Sequence, residues 1–375
     1  MSSKATLSIW DYIGLAGTAA KIATAVIYAS LTGFFRPRKD VLTYREWIQT
    51  WTLWGLIHYG TIEQRQWLAK PTADGYVSFA NKSGFTPEVV QLAHGAKACW
   101  IGAKDARTVV YFLHGGGYIN PASALHFQWA QKLVDEARLQ NKQMAVMLLH
   151  YELAPSGKYP KQLQQATAGL QYLTDTCGKT PSDIIVIGDS AGGNLASGLF
   201  AHLCHPHPSV TPIKLSCPLK AGILVSPWVT FAQDSPSMNA DKSVDYMSRP
   251  GLQNASQAFM SDAPVDDYNT PLAARPEFWK DLPQAVQAIR VLAGGVELFA
   301  DDIKAFAEKL EACWQLARSL WSFANHTFAQ VHNRSKVEIF VDSKGQHDTP
   351  LVDIFRSHDG PATLKVYDWL NELVV

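Results

Sequence analysis

The sequence predicts an α/β fold, in which a mostly parallel sheet is flanked by helices. Three observations support this prediction. Short apolar runs of the kind found in buried strands recur along the 375 residues. Stretches with helical spacing of apolar residues lie between those runs. Hydrophobic residues make up 47% of the chain and charged residues 18%, which indicates a globular protein with a large core.

The predicted strands and helices alternate along most of the chain. The predicted strands are RTVVYFL, MAVMLLHY, DIIVIGDS, AGILVS, AIRVLAGG and VEIFVD. Helical patterns run from about Leu125 to Leu139, from Lys161 to Leu173, from Leu195 onward and after Ile303. This alternation is typical of parallel sheets with helical crossovers.

Two segments depart from the alternation. Residues 1–100 have a helical and aromatic pattern, with one helix face formed by Tyr44, Trp47, Ile48 and Trp51. Residues 231–285 are rich in Pro, Asp, Ser and Asn and contain no clear strand, which predicts an insertion over the sheet. The core is therefore predicted to comprise residues 101–230 and 286–375.

Charge and cysteine content exclude several classes of protein. The 33 basic residues balance 33 acidic ones, so nothing indicates a nucleic-acid partner or an acidic membrane surface. The five cysteines are scattered and include no CxxC pair, so we expect reduced thiols and neither a zinc site nor a disulfide framework.

The segment from Ile22 to Phe35 is an uncharged run of 14 residues. A helix that spans a bilayer needs roughly 18 apolar residues or more. We therefore expect a buried or lid-forming helix, with an in-plane membrane anchor over residues 22–35 as the alternative. The predicted location is cytoplasmic, and attachment to the endoplasmic reticulum membrane is its alternative.

The strongest chemical signal is the stretch IGDSAGGNLA, in which Gly188, Ser190 and Gly192 match G-x-S-x-G. The match comes directly after a predicted strand and before a helical pattern. A sharp strand-to-helix turn of this kind raises a serine hydroxyl above the sheet, and small neighbours make room for the strained backbone. Ser190 is therefore the predicted nucleophile.

A second signal lies upstream in FLHGGGYIN, which also follows a predicted strand. Glycines allow backbone N–H groups to approach a reacting oxygen, and acyl transfer needs at least two such donors. We predict an oxyanion hole made by Gly115, Gly116 and Ala191. A plain loop or a phosphate-binding turn would be the alternatives, but both phosphate-loop patterns are absent.

At these motifs the chain resembles the hormone-sensitive-lipase-like branch of the α/β-hydrolases. HGGGY, GDSAGGN and the intervening YELAPSGKYP all match that branch, and the resemblance covers residues 105–375. It implies a carboxylic-ester hydrolase with a Ser-His-acid triad and no cofactor or metal. It also implies a cap to which residues 1–100 and the insertion 231–285 contribute.

The predicted base is His347. In this family the histidine follows the acid and lies in a loop after the last strand, as in VEIFVDSKGQHDTP. His358 is the main competitor, although it lies past that loop. His326 and His332 fall in a predicted insertion, and His114 belongs to the oxyanion loop.

The predicted acid is Glu297, in the stretch GGVELFADDI. A triad acid belongs in a loop at the carboxyl end of a strand. Asp301 and Asp302 are explained as the start of a helix, where aspartate is favoured, whereas Glu297 has no such explanation. The family pattern agrees with this position but usually has Asp there. Asp301 and Asp267 are the alternatives.

These residues predict a serine hydrolase that cleaves a small or apolar carboxylic ester through an acyl-enzyme. Cleavage of an amide or thioester, or acyl transfer in a biosynthetic pathway, would use the same triad. A non-catalytic ligand-binding protein on this fold is an alternative of a different class. A small-molecule ester is the expected partner, and the oligomeric state is left open, a homodimer included.

Overall fold

An eight-stranded sheet forms the centre of the computed structural model, which describes residues 9–36, 38–239, 244–322 and 337–374. The strands are β1 Glu88–Gln91, β2 Lys97–Ile101, β3 Thr108–Leu113, β4 Met144–His150, β5 Ile184–Asp189, β6 Ala221–Val225, β7 Ile289–Gly294 and β8 Val337–Asp342. Their order is β1-β2-β4-β3-β5-β6-β7-β8, and every pairing from β4-β3 to β7-β8 is parallel. The predicted α/β class is confirmed, and the six predicted strands are β3 to β8.

The two strands at the edge of the sheet were not predicted. β1 pairs with β2, and β2 with β4, in antiparallel fashion. The predicted start of the core at residue 101 is therefore too late, because the sheet begins at Glu88. Antiparallel neighbours can be joined by a short turn, so these strands lack the intervening helix that marks the others in the sequence.

Helices cover both faces of the sheet. They are α1 Ile9–Thr32, α2 Tyr44–Tyr59, α3 Ile62–Leu68, α4 Thr72–Ser83, α5 Ala124–Leu139, α6 Lys161–Gln171, α7 Ala191–Cys204, α8 Arg249–Met260, α9 Leu282–Ala285, α10 Ala300–Ser322, α11 Thr349–Arg356 and α12 Pro361–Leu373. The side chains of β3 point alternately into the two hydrophobic layers, one on each face of the sheet. Tyr111 and Leu113 pack in the core with α6, α7 and α10, whereas Val110 and Phe112 pack in the core with α4, α5 and α12.

The N-terminal helices are fastened to the segment 231–285 and to a loop after β8. α2 contacts α8, and His58 Nδ1 lies 2.9 Å from Ser248 Oγ at this junction. Gln346 Nε2, in the loop after β8, donates to Thr50 Oγ1 on α2 at 3.0 Å. The later part of 231–285 differs, because α9 packs against α7 beside the sheet. That these pieces form a distinct cap stays a prediction.

The first helix is longer and more exposed than predicted. Residues Tyr12–Phe35 form one helical segment that is long and apolar enough to cross a membrane by length and composition. Among the described side chains of α1 only Ala25 and Ala29 are buried, so the helix is not buried in the core, whereas the expectation that it forms a lid stays a prediction. α1 packs on α2 along one side and leaves its other apolar side chains in solvent.

Candidate active site

Ser190 lies on a sharp turn between β5 and α7. Its backbone has φ 50° and ψ −117°, a left-handed conformation that is strained for any residue with a side chain. The turn closes tightly, because a Cβ atom at Gly188 would overlap the Gly192 carbonyl and one at Gly192 would overlap the Leu113 carbonyl. The two glycines of the motif are thus required by the close approach of β5, α7 and β3.

A continuous chain of short contacts leads away from Ser190. Its Oγ lies 2.9 Å from Nε2 of His347, and Nδ1 of His347 lies 2.7 Å from Oε2 of Glu297. The second Glu297 oxygen accepts hydrogen bonds from Ser226 Oγ at 3.0 Å and from the Gly294 N–H at 2.6 Å. Ser190, His347 and Glu297 are all buried. The structure therefore brings these three sequence-predicted residues into one hydrogen-bonded line.

The competing histidines lie elsewhere. His358 is exposed beyond the end of α11, and its backbone N–H donates to the Asp353 carbonyl. His114 is buried against Tyr151, with ring centroids 4.3 Å apart, and burial holds its pKa well below the usual range. His326 and His332 fall outside the described residues.

The competing carboxylates also have other partners. Asp301 accepts a hydrogen bond from the Ser237 N–H at 2.8 Å, and Asp302 accepts one from Ser235 Oγ at 3.2 Å. Both aspartates lie in the first turn of α10, as predicted, and they fasten the segment 231–285 to that helix. Asp267 is half-buried, and no hydrogen bond or ion pair joins it to His347 among the described residues.

The loop after β3 corrects one predicted donor. The Gly115 N–H already donates to Asp189 Oδ1 at 2.9 Å, and Asp189 Oδ2 lies 3.2 Å from His126 Nε2. This N–H is therefore used to hold the loop onto β5, and Gly115 does not fit the predicted oxyanion role. Asp189, directly before the nucleophile, was not singled out in the sequence.

Three other N–H groups remain available beside Ser190. Gly116 and Gly117 line the cavity above Ser190 and have φ values of 99° and 63°, which favour glycine. Ala191 is the first residue of α7, where an N–H has no acceptor within the helix. Among the described residues we find no hydrogen-bond acceptor for these three groups.

A carboxylate from the segment 231–285 couples the loops that carry Glu297 and His347. Asp245 Oδ2 accepts the Leu298 N–H at 2.9 Å, and Asp245 Oδ1 lies 3.4 Å from the His347 backbone nitrogen. Asp245 is buried. Sequence reasoning missed it, because its 53-residue separation from Leu298 leaves no local signal.

Asp348 adds a second buried carboxyl group next to the histidine. Its Oδ2 lies 3.3 Å from His347 Nε2, the same nitrogen that faces Ser190. Its backbone N–H donates to Ser226 Oγ at 3.0 Å, whereas its buried Oδ1 has no hydrogen-bond partner among the residues that the structure describes. The adjacency of Asp348 to His347 in the motif QHDTP is a sequence signal that went unused.

Burial and charge act in opposite directions on these groups. Burial alone would lower the pKa of His347, but the carboxylates of Asp348, Glu297 and Asp245 together raise it to about 9. Burial raises the pKa of Glu297, and its hydrogen bonds with His347 and Gly294 oppose that shift. Burial also raises the pKa of Asp348 well above its ordinary value. The carboxylates around His347 thus stabilise the protonated form of its imidazole ring.

Ser190 opens into a cavity of about 350 Å³. Apolar side chains dominate its wall, among them Leu53, Ile57, Met247, Leu252, Val352 and Phe355. They come from α2, from the segment 231–285 and from α11, so the N-terminal region and the insertion both shape the cavity. Within the described ranges, no group of three or more His, Cys, Asp or Glu side chains is placed to hold a metal ion.

This arrangement is that of an α/β-hydrolase, with a serine on a strand-to-helix turn and a histidine and an acid after later strands. A family model described as an alpha/beta hydrolase fold matches residues 109–329. That match covers more than half of the chain, so the chain belongs to this family, as the sequence motifs predicted.

Several relatives and solved structures are similar to this chain. Steryl acetyl hydrolase 1 of Saccharomyces cerevisiae is 30% identical over 32% of this chain and 26% of its own length. Carboxylesterase NlhH of Mycobacterium tuberculosis is 31% identical over 37% of this chain and 43% of its own length. The carboxyl esterase 2 structure from Tuber melanosporum has 17% identity and a TM-score of 0.59, covering 77% of this chain and 88% of that one. An esterase of Acinetobacter venetianus is matched over 59% of its length. The chain therefore spans less than two thirds of the length of each of these three curated relatives.

Proposed function

We propose that this chain hydrolyses carboxylic esters through an acyl-enzyme on Ser190. The observation that carries the proposal is the hydrogen-bonded line from Ser190 through His347 to Glu297 at the floor of an apolar cavity. Relatives that are named esterases and carboxylesterases support the same chemistry. The apolar wall fits an ester with an apolar or small acyl group.

Each residue has a role in the proposed reaction. His347 accepts the Ser190 hydroxyl proton while the serine oxygen attacks the ester carbonyl. Glu297 holds the imidazole in the tautomer that leaves Nε2 free, and it stabilises the imidazolium. The N–H groups of Gly116, Gly117 and Ala191 stabilise the oxyanion. His347 then gives its proton to the leaving alcohol and activates the water that hydrolyses the acyl-enzyme.

Ester hydrolysis and its alternatives are distinguished by turnover. The purified protein is expected to release 4-nitrophenol from 4-nitrophenyl acetate and butyrate, with matched anilides cleaved far more slowly because an amide has a poorer leaving group. Adding an alcohol would reveal acyl transfer as a new ester. A non-catalytic binding protein would give no product above the Ser190→Ala control, and that result would remove the proposal.

The pH dependence should respond to Asp348. His347 must be neutral to accept a proton, so kcat/KM should rise with pH through its pKa. Asp348→Asn removes a negative charge 3.3 Å from Nε2 and is expected to lower that pKa, which moves the acid limb of the profile to lower pH. Asp301→Asn is the control and should leave the limb in place. If the acid limb of the Asp348→Asn profile lies at the same pH as that of the wild type, Asp348 carries no charge over the pH range of that limb.

We also propose that α1 attaches the enzyme to a membrane surface. This corresponds to the membrane-attached location that the sequence predicts as the alternative. Large apolar side chains stand exposed on α1 and just after it, including Trp10 at 77%, Leu31 at 72% and Phe35 at 87%. An exposed apolar face of this length marks an interaction surface.

Membrane attachment should depend on those side chains. In flotation with phosphatidylcholine liposomes, the wild-type protein is expected to float, and a Leu31→Gln/Phe35→Gln variant should remain largely in the soluble fraction. Leu139→Gln, at an equally exposed position on α5, serves as the control and should float like the wild type. A wild-type protein that stays at the bottom of the gradient would refute the attachment.

A further inference from the structure

Arg65 is a buried cation close to the candidate active site. It lies on α3 with only 7% of its surface exposed, and it lines the cavity above Ser190. It also lines a neighbouring cavity of about 580 Å³, whose wall includes Leu56, Leu68 and Phe79. The two cavities share four lining residues, which are Ile57, Arg65, Asn120 and Ser123.

The guanidinium group has no counterion in the described part of the chain. Its Nε and Nη2 atoms are buried without a hydrogen-bond partner, and no carboxylate lies within ion-pair distance. The charge of Glu63, an exposed residue of α3, acts in the direction that raises the pKa of Arg65, although no ion pair joins the two side chains among the described residues. Burial lowers the pKa of Arg65 to about 10, so the group remains charged at neutral pH.

An unpaired buried charge is costly to the fold, and such a group in a cleft is a candidate binding site. The backbone that carries the side chain is well defined. A capping box of Thr61 and Gln64 fixes the start of α3, and a Cβ at Gly60 would lie 2.5 Å from the Leu56 carbonyl oxygen and 3.3 Å from Arg65 Cγ. A buried guanidinium with unpaired donors is suited to a planar carboxylate, which it can bind through two parallel hydrogen bonds.

We infer that Arg65 binds a carboxylate of the substrate, so that the preferred esters carry a carboxylate away from the ester bond, in the acyl or the alcohol part. This inference rests on the proposed ester hydrolysis. The remainder of such a substrate would lie against the apolar walls of the two cavities, with its ester carbonyl at Ser190.

The test compares esters that differ only in charge. For the acyl part, mono-4-nitrophenyl glutarate is compared with 4-nitrophenyl pentanoate. For the alcohol part, 4-acetoxyphenylacetate is compared with 4-ethylphenyl acetate. In at least one pair, the wild-type enzyme is expected to favour the charged ester by at least about tenfold in kcat/KM. Arg65→Met should abolish that ratio and Arg65→Lys should retain part of it, whereas Arg138→Met, at an exposed position on α5, should keep it.

Three results would overturn the inference. The first is that the wild-type enzyme shows no preference in either pair, and the second is that Arg65→Met retains the preference. The third is that the Arg65→Met protein is markedly less stable than the wild type, since the guanidinium would then support the fold. Calorimetric binding of monomethyl glutarate to the Ser190→Ala protein, with and without Arg65→Met, separates this inference from ester hydrolysis. If Ser190→Ala binds it and Ser190→Ala/Arg65→Met does not, the carboxylate site stands even where no ester is turned over.

Discussion

Glu297→Gln is expected to lower kcat/KM for 4-nitrophenyl esters by about 100-fold to 10,000-fold. The amide keeps the size of the side chain and can still accept from Ser226 and Gly294. It cannot hold His347 in the tautomer that leaves Nε2 free for the Ser190 proton, and it cannot stabilise the imidazolium. Steady-state kinetics on the folded variant measures the loss.

Asp301→Asn is the matched control for that variant. Asp301 lies four residues further on, and it fastens Ser237 to the start of α10 at a distance from the histidine. Its replacement is expected to change kcat/KM by less than about threefold. The assignment of the acid would be wrong if Asp301→Asn lost activity while Glu297→Gln kept it.

Gly192→Ala is expected to lower the free energy of unfolding by more than about 3 kcal/mol, because the added methyl group overpacks the turn. A Cβ at this position would overlap the backbone carbonyl of Leu113, and neither β3 nor α7 can move without disturbing Ser190. Urea unfolding followed by fluorescence measures the effect, and the variant should also lose activity where it remains folded.

Gly17→Ala controls for the substitution itself. Gly17 lies within α1, and a Cβ atom there would meet no heavy atom within 4 Å. Alanine is favoured over glycine in helices by about 1 kcal/mol, so this variant should be as stable as the wild type or more so. A Gly192→Ala protein with unchanged stability would show that the turn is looser than its backbone contacts indicate.

The parts of the fold that could be predicted are those with a local signal. β3 to β7 are almost wholly buried and read as apolar runs, and the partly buried edge strand β8 keeps a shorter apolar stretch, so the existence of all six followed from the sequence. β1 is a short, half-exposed edge strand and gives no such run. The exposure of α1 was not predicted, because composition alone does not distinguish a helix that packs on protein from one that faces outward.

The site residues that could be predicted are likewise those with a local signal in the sequence. Ser190, His347 and Glu297 lie next to strands in recognisable motifs, so they could be named before their contacts were known. The use of the Gly115 N–H could not be foreseen, since it depends on the direction in which the Asp189 carboxylate points across two strands. Arg65 lies in no recognisable motif. That its guanidinium group is buried without a counterion among the described residues depends on the packing around it, which the sequence does not reveal.

Covalent labelling tests the central claim most directly. The purified protein is treated with a fluorophosphonate and digested, and its peptides are analysed by mass spectrometry while ester turnover is followed in parallel. We predict one adduct, on Ser190, formed as turnover is lost and absent from Ser190→Ala. Undiminished ester turnover with Ser190 modified, or turnover by Ser190→Ala at the wild-type rate, would contradict the proposed mechanism.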